Sequence, residues 1–249
     1  MNDNWIWGVH SIEACLETRP ELIKELFTIN ADNDNRELIK IKELAKSQGI
    51  SLQLVKNIPG ALKERRTQGI FAQLQNFPIW NFREERASIA EQFSNDRGQW
   101  AMLDRIQDPQ NYGAVLRSAA AFGVKGIFVA NRDQCPANGT VAQVSAGQLF
   151  RIPLYECEQC MELLKLAQEK NVCILSLDSR GENLSRYLSE NKSNILWILG
   201  AEHQGVQKKY LEQSDSIVSI PMNPDVESLN VSNAAAIAFY ETQKNIKTH

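Results

Sequence analysis

Three polar clusters in this chain combine residue types suited to holding anions and reactive oxygen atoms. The first is Asp104-Arg105-Ile106-Gln107-Asp108-Pro109-Gln110-Asn111-Tyr112-Gly113-Ala114-Val115-Leu116-Arg117-Ser118. Here Asn111 falls at a helix start where it can cap, Gly113 permits close approach, and Arg117 follows about one turn further in. A guanidinium stays protonated, so Arg117 suits a phosphate or a developing oxyanion better than proton abstraction. The second cluster, Leu199-Gly200-Ala201-Glu202-His203-Gln204-Gly205-Val206, brackets a carboxylate with glycines. It lacks the Lys-Ser/Thr ending of a phosphate loop, and no nucleophile partners Glu202 and His203 for hydrolysis. The third joins Ile220-Pro221-Met222 to Ser228-Leu229-Asn230-Val231-Ser232-Asn233, which feeds a helix of small residues, Ala234-Ala235-Ala236-Ile237-Ala238-Phe239. The first turn of that helix offers unpaired N–H groups and the positive end of a dipole. Taken singly, each cluster also fits an ordinary cap, loop or surface salt-bridge residue. Cys157-Glu158-Gln159-Cys160 has metal or redox spacing, but no second pair exists and the three histidines are distant in sequence, so no metal site is expected.

The chain has 249 residues, 43% hydrophobic and 23% charged, enough for one large domain or two small ones. The five cysteines are odd in number and scattered, which argues against a disulfide framework. No apolar run is long enough to cross a membrane, and Met1-Asn2-Asp3-Asn4 lacks the regions of a signal peptide, so the expectation is a cytoplasmic protein with no membrane partner. The net charge of -3 counts against bulk attraction to nucleic acid; any RNA site must be a local basic patch.

Residues 1–75 read as a compact α/β unit. Val9, Ile12 and Leu16 share a helix face before Pro20, 25–29, 51–55 and 70–74 read as strands, and Leu38, Ile41, Leu44 and Ala45 fit a helix ending at Gly49. Lys63, Arg65 and Arg66, ahead of Gln68 and Gly69, form a basic loop that either grips phosphate or is simply solvated. Residues 76–98 turn polar: Asn76, Pro78, Trp80 and Asn81 precede a polar helical segment that Ser94-Asn95-Asp96-Arg97-Gly98 closes, and the whole reads as a linker. From 99 to 249, apolar strands near 100–103, 126–130, 172–177, 194–199 and 216–220 alternate with helices, which implies a parallel sheet covered on both faces. Ligands of such sheets bind outside the carboxyl ends of the strands, and all three polar clusters leave such ends.

In order and spacing the three clusters resemble the signature motifs of the SpoU branch of the SPOUT superfamily, the RNA ribose 2′-O-methyltransferases. The matching residues are Asn111, Gly113 and Arg117; Gly200, Glu202 and Gly205; and Ile220-Pro221-Met222 with Ser228-Leu229-Asn230-Val231-Ser232. Trp7-Gly8-Val9-His10-Ser11-Ile12-Glu13-Ala14 and Thr67-Gln68-Gly69-Ile70 resemble the small ribosomal-protein-like substrate domain of the subgroup that methylates a guanosine in 23S ribosomal RNA. Departures from relatives are His203 and Gln204, where several have small or acidic residues, and Arg66, where they carry His.

The resemblance implies an α/β fold whose C-terminal segment forms a deep trefoil knot, with S-adenosylmethionine in a bent pocket held by backbone near Gly200, Ile220 and Leu229. It implies catalytic roles for Arg117, Asn111, Glu202, Ser228 and Asn230, a homodimer, and 23S rRNA, free or in a ribosomal precursor, as the partner. A transfer RNA 2′-O-methyltransferase and a catalytically silent RNA-binding relative are the alternatives. A nicotinamide-dependent dehydrogenase is disfavoured because no Gly-x-Gly-x-x-Gly follows the first strand of the sheet.

Overall fold

The computed structural model describes residues 4–29, 36–95, 97–191, 193–201 and 204–247. The chain packs as two compact units, Met1–Pro78 with Pro136–Arg151, and Ile79–Cys135 with Ile152–His249.

The first unit begins with β1 (Trp5–Trp7), α1 (Val9–Thr18), β2 (Ile23–Thr28), α2 (Arg36–Ser47), β3 (Leu52–Leu54) and β4 (Ile70–Leu74). Its sheet runs β1-β4-β2-β3, with β4 antiparallel to both neighbours and β3 parallel to β2. Val9, Ile12 and Leu16 of α1 and Leu38, Ile41 and Ala45 of α2 are buried, as their helical spacing requires. Gly49, at φ +70°, stops α2 with the Ile50 amide bonded back to the Ala45 carbonyl at 2.8 Å. The three-residue β1 is too short to show alternation in the sequence.

The second unit opens with β5 (Trp80–Asn81) and α3 (Phe82–Asn95), where the sequence pattern predicts a linker. The segment is polar overall, but Phe82, Ile89 and Phe93 form one narrow stripe that is buried in the core. Each such burial contributes about 1.5–3 kcal/mol. Arg83 fixes the outer side of α3, donating to Glu158 at 2.9 Å and to Glu162 at 2.9 and 3.0 Å.

Next come β6 (Gln99–Asp104), α4 (Pro109–Ala121) and β7 (Val124–Ala130). The chain then contributes Pro136–Arg151 to the first unit, with α5 (Gly139–Val144) packed on β1. It continues through β8 (Leu154–Cys157), α6 (Cys160–Glu169), β9 (Cys173–Asn183), α7 (Leu184–Glu190), β10 (Ile195–Gly200), α8 (Lys208–Leu211), β11 (Ser216–Ser219) and α9 (Val231–Lys247).

Among the described residues these strands form a seven-stranded sheet, β11-β9-β10-β6-β7-β8-β5, in which every neighbouring pair is parallel. Trp100, Met102, Phe128, Leu196 and Ile198 pack with α3 and α6 in one cluster. Helices α4 and α9 pack together, and α9 also meets β6 and β10. Gln99 ties this layer together: fully buried, it donates to the Phe122 and Phe239 carbonyls at 3.0 Å each and accepts from the Trp197 indole at 3.2 Å. A buried amide is tolerated because its polar groups are answered.

The strand order reverses between β6 and β10. Strands β7 and β8 lie to one side, β9 and β11 to the other, so the carboxyl ends of β6 and β10 diverge at a crevice.

Candidate active site

The loop leaving β6 is built around a buried carboxylate. Asp104, 1% exposed, accepts from the Gln207 amide at 2.9 Å, the Gln207 side chain at 2.5 Å and Arg105 Nε at 3.2 Å. Arg105 takes φ +63° and donates to the Gly205 carbonyl at 3.2 Å and to the Gln204 side chain. The first two polar clusters are thereby latched, although they are about a hundred residues apart. Helix α4 is capped by Asp108, whose Oδ1 accepts from the Gln110 amide at 2.9 Å, with Pro109 in the first turn. Capping therefore falls to Asp108 and not to Asn111, which is left to reach elsewhere.

After β10 the chain turns sharply. Gly200 lies so close to the backbone of Gly205 and Val206 that a Cβ there would overlap them. Gly205 sits at φ +63°, and its amide donates to the Ala201 carbonyl at 2.8 Å. Two glycines are needed because one position has no room for a side chain and the other is left-handed. The third segment runs from β11 to α9, which Asn230 caps through its Oδ1, accepting from the Ser232 amide at 2.9 Å and the Ser232 hydroxyl at 2.6 Å. The other end of the same amide donates to Asn111 Oδ1 at 2.8 Å.

The second and third segments, with the middle of β9, line a cavity of about 390 Å³ at the carboxyl end of β10, and no residue of the first segment takes part. Gly200, Ile220, Ser228 and Leu229, all expected at the site, line it, together with Leu199 and Met222. Asn111 and Asn230 are joined as described. Arg117 is exposed on α4, outside the cavity lining, and makes no hydrogen bond or ion pair among the described residues. Glu202, like His203, lies outside the described residues.

Four contributors have no role assigned from the sequence, although Asp104 and Arg105 stand in the first cluster. Asp104, Arg105 and Gln207 form the latch. Asp178, just past the apolar part of β9, lines the cavity with Ser179 and Arg180. Its carboxylate accepts from Arg180 Nε at 2.8 Å, Arg180 Nη2 at 3.0 Å and the Arg180 amide at 3.1 Å. The Arg180 guanidinium holds this carboxyl below the usual range against the opposing effect of burial. The available signal was the switch from Leu175-Ser176-Leu177 to Asp178-Ser179-Arg180, where β9 leaves its pairing with β10.

In the first unit, Lys63, Arg65 and Arg66 are all exposed, and the Arg65 guanidinium lies 5.3 Å from the Trp7 ring centroid. The next residues are rigid: the Val9 amide bonds Gln68 Oε1 at 3.0 Å, and Thr28 Oγ1 donates to the Gly69 carbonyl at 3.0 Å. The basic loop is thus anchored at its base, with its three cationic side chains exposed.

The chain thus combines an α/β unit whose parallel sheet carries a loop-built cavity with a small α/β unit that carries a basic loop. The chain belongs to the SpoU rRNA Methylase family, whose model matches residues 100–240, and a model for RNA 2'-O ribose methyltransferase substrate binding matches residues 5–80. It is 32% identical to the 23S rRNA (guanosine-2'-O-)-methyltransferase RlmB of Xanthomonas campestris pv. campestris over 241 residues, covering 96% of this chain and 95% of that protein. It is 31% identical to RlmB of Escherichia coli K12, covering 95% and 96%. Among solved structures, the SpoU methyltransferase AviRb from Streptomyces viridochromogenes superposes with a TM-score of 0.80 at 21% identity, covering 100% of this chain and 91% of that one. An AdoMet-bound rRNA methyltransferase from Sinorhizobium meliloti superposes with a TM-score of 0.74 at 17% identity, covering 98% and 88%. The fold is that of the SPOUT methyltransferases.

Proposed function

We propose that this protein methylates the ribose 2′-hydroxyl of a guanosine in 23S ribosomal RNA with S-adenosylmethionine as donor. The observation that carries the reading is near-full-length identity of about one third to enzymes of that activity. The cavity fits the donor: Leu199, Ile220, Met222 and Leu229 offer an apolar slot for adenine, and the close turn at Gly200 leaves backbone groups free to approach a ribose. When bound, the donor supplies a methyl group activated by sulfonium for in-line displacement.

The chain's own residues then have to place the acceptor and manage charge. Arg117, exposed and uncommitted among the described residues, grips the target phosphate and stabilises negative charge on the 2′-oxygen; positioning of this kind supplies much of the rate. The Asn111–Asn230 bond at 2.8 Å fixes the start of α9 against α4, so that Ser228 and Asn230 present their polar groups to the ribose at a set height. Glu202 orients Arg117 or the substrate. Lys63, Arg65 and Arg66 take phosphate contacts that position the RNA without reading its sequence.

Two further expectations belong to this reading. The chain works as a homodimer in the cytoplasm, supported by Ile237 and Tyr240, 37% and 49% exposed on α9 beside α4. The C-terminal segment is threaded as a trefoil knot; β11 pairs at the sheet edge while α9 packs back against β10 and β6, so residues 220–230 cross the strand ends between them.

The test is methyl transfer from isotopically labelled S-adenosylmethionine to purified 23S rRNA and, separately, to transfer RNA, with nucleoside analysis of the product. Labelled 2′-O-methylguanosine from 23S rRNA is expected. Label in transfer RNA alone, or label on a base, overturns the assignment.

A further inference from the structure

A second cavity, of about 440 Å³, shares no lining residue with the first. It opens past the carboxyl ends of β7 and β8, and Cys160 is part of its wall. Cys157 is the last residue of β8 and Cys160 the first of α6, a helix of ten residues. Cys157 is fully buried, so access to the pair runs through Cys160.

The two sulfurs are chemically unequal. The neighbouring Cys157 thiol, the Tyr210 hydroxyl and the positive charge of Lys209 each favour the Cys160 thiolate. The unpaired amides at the start of α6 favour a thiolate at the same place. Arg105 and Arg132 line the same cavity. Opposing them are burial and the Asp104 carboxylate, but Asp104 is engaged by Gln207 and Arg105. Of the cavity's other acids, Glu158 is held by Arg83 at 2.9 Å and Asp133 is exposed at the rim. The balance lowers the Cys160 thiol, while hydrogen bonding to Cys160 and burial push Cys157 up. Cys160 borders the cavity beside Lys209, Arg105 and Arg132, and Cys157, three residues back, lies in the same buried cluster.

We propose that Cys160 and Cys157 form a reactive dithiol that exchanges with small disulfides entering this cavity. The Cys160 thiolate attacks one sulfur of the incoming disulfide. A Cys160–sulfur bond forms, the original S–S bond breaks, and the departing thiolate carries away the electron pair. Cys157 then gives up its proton to solvent and attacks the Cys160 sulfur, expelling the second small thiolate. The protein dithiol is oxidised by two electrons to a Cys157–Cys160 disulfide, and the small disulfide is reduced to two thiols.

Exposure alone points elsewhere. Cys173 is the most accessible cysteine, the other four being buried, but burial raises its thiol and its sulfur lies 3.3 Å from the Tyr187 hydroxyl. Cys15 is pushed up to about 12 by burial. The experiment treats the folded full-length protein at pH 7 with one equivalent of 5,5′-dithiobis(2-nitrobenzoate), follows release of the coloured thiolate, and maps the modified peptides by mass. Cys160 should react first, roughly tenfold faster than Cys173, and release two thiolates for each Cys157–Cys160 disulfide formed. Cys157→Ser should stop at a mixed disulfide with one thiolate released, and Cys160→Ser should lose the fast phase. Modification of Cys173 first, or of Cys160 only in urea, would overturn the proposal, and the wild-type map alone decides between these results if a variant fails to fold.

Discussion

Gly200→Ala is the sharpest probe of how the cavity is made. An added Cβ would overlap the Gly205 carbonyl group and the Val206 nitrogen, both of them backbone atoms that cannot rotate away. Reaching ordinary carbon–carbon separation requires the backbone of Gly205 and Val206 to move away from Gly200 by roughly 1.5 Å. That movement breaks two interactions, the Gly205 amide to the Ala201 carbonyl at 2.8 Å and Arg105 to the Gly205 carbonyl at 3.2 Å. A neutral hydrogen bond contributes about 1 kcal/mol and one to a charged group about 1.5–3, so restoring the turn costs about 2–4 kcal/mol. Cofactor affinity should fall between roughly thirtyfold and several hundredfold. Isothermal titration with S-adenosylhomocysteine reads this directly, with a thermal melt to show that the protein remains folded. Gly98→Ala is the control: its Cβ would meet only the flexible Lys125 side chain, at 3.0 Å or more, and affinity should stay within about twofold. Equal affinities for wild type and Gly200→Ala would refute the claim that this turn shapes the binding site.

Arg117→Ala should abolish methyl transfer while leaving S-adenosylhomocysteine binding within about threefold of wild type; retained turnover removes Arg117 from the chemistry. Replacing Lys63, Arg65 and Arg66 singly by Ala should each reduce the dependence of log K on log salt by roughly 0.7–0.9 in RNA binding measured by fluorescence anisotropy, and an unchanged slope means the loop is merely solvated. Asp178, whose folded-state carboxyl is held low by Arg180, contributes stability present above the ordinary carboxylate range and lost as pH falls through its lowered value. Asp178→Asn should therefore cost stability at pH 7 and much less near pH 2 in denaturant melts, and a pH-independent cost would show that the ion pair is not the source. Ile237→Glu combined with Tyr240→Glu should convert a dimer to a monomer in light scattering, whereas an unaltered mass places the interface off this face of α9.

The methylase unit was legible where its residues answer to local rules. Apolar runs of five or six residues, as at 126–130 and 194–199, are too short for a buried helix and fit strands buried on both faces, and the structure has β7 and β10 there. The small-residue run after Asn230 gave α9, because Asn caps and Ala packs closely. What failed was of two kinds. Strands β5 and β8 have two and four residues, too few for a periodic signal, and gain their identity only from parallel pairing with each other and with β7. Helix α3 carries so many charges that its three core contacts at Phe82, Ile89 and Phe93 disappear in the average.

The site divides along the same line. Glycines, asparagines and serines at strand ends announce a binding loop because few other reasons exist for that composition in that place. Asp104, Gln207 and Arg105 announce nothing, since an acid, an amide and a base in loops are ordinary surface residues until the fold sets a carboxylate 1% exposed under an amide more than a hundred positions away. Their role is also different in kind. The motif residues supply groups that a ligand can touch, whereas the latch decides whether the loops carrying those groups stand at the same height. A carboxylate buried at the end of the central strand is costly unless its acceptor sites are filled, and here the first and second loops fill them. Removing either loop's donors leaves part of a buried carboxylate unanswered, so the energetic requirement of Asp104 favours the closeness of β6 and β10 that the cavity needs.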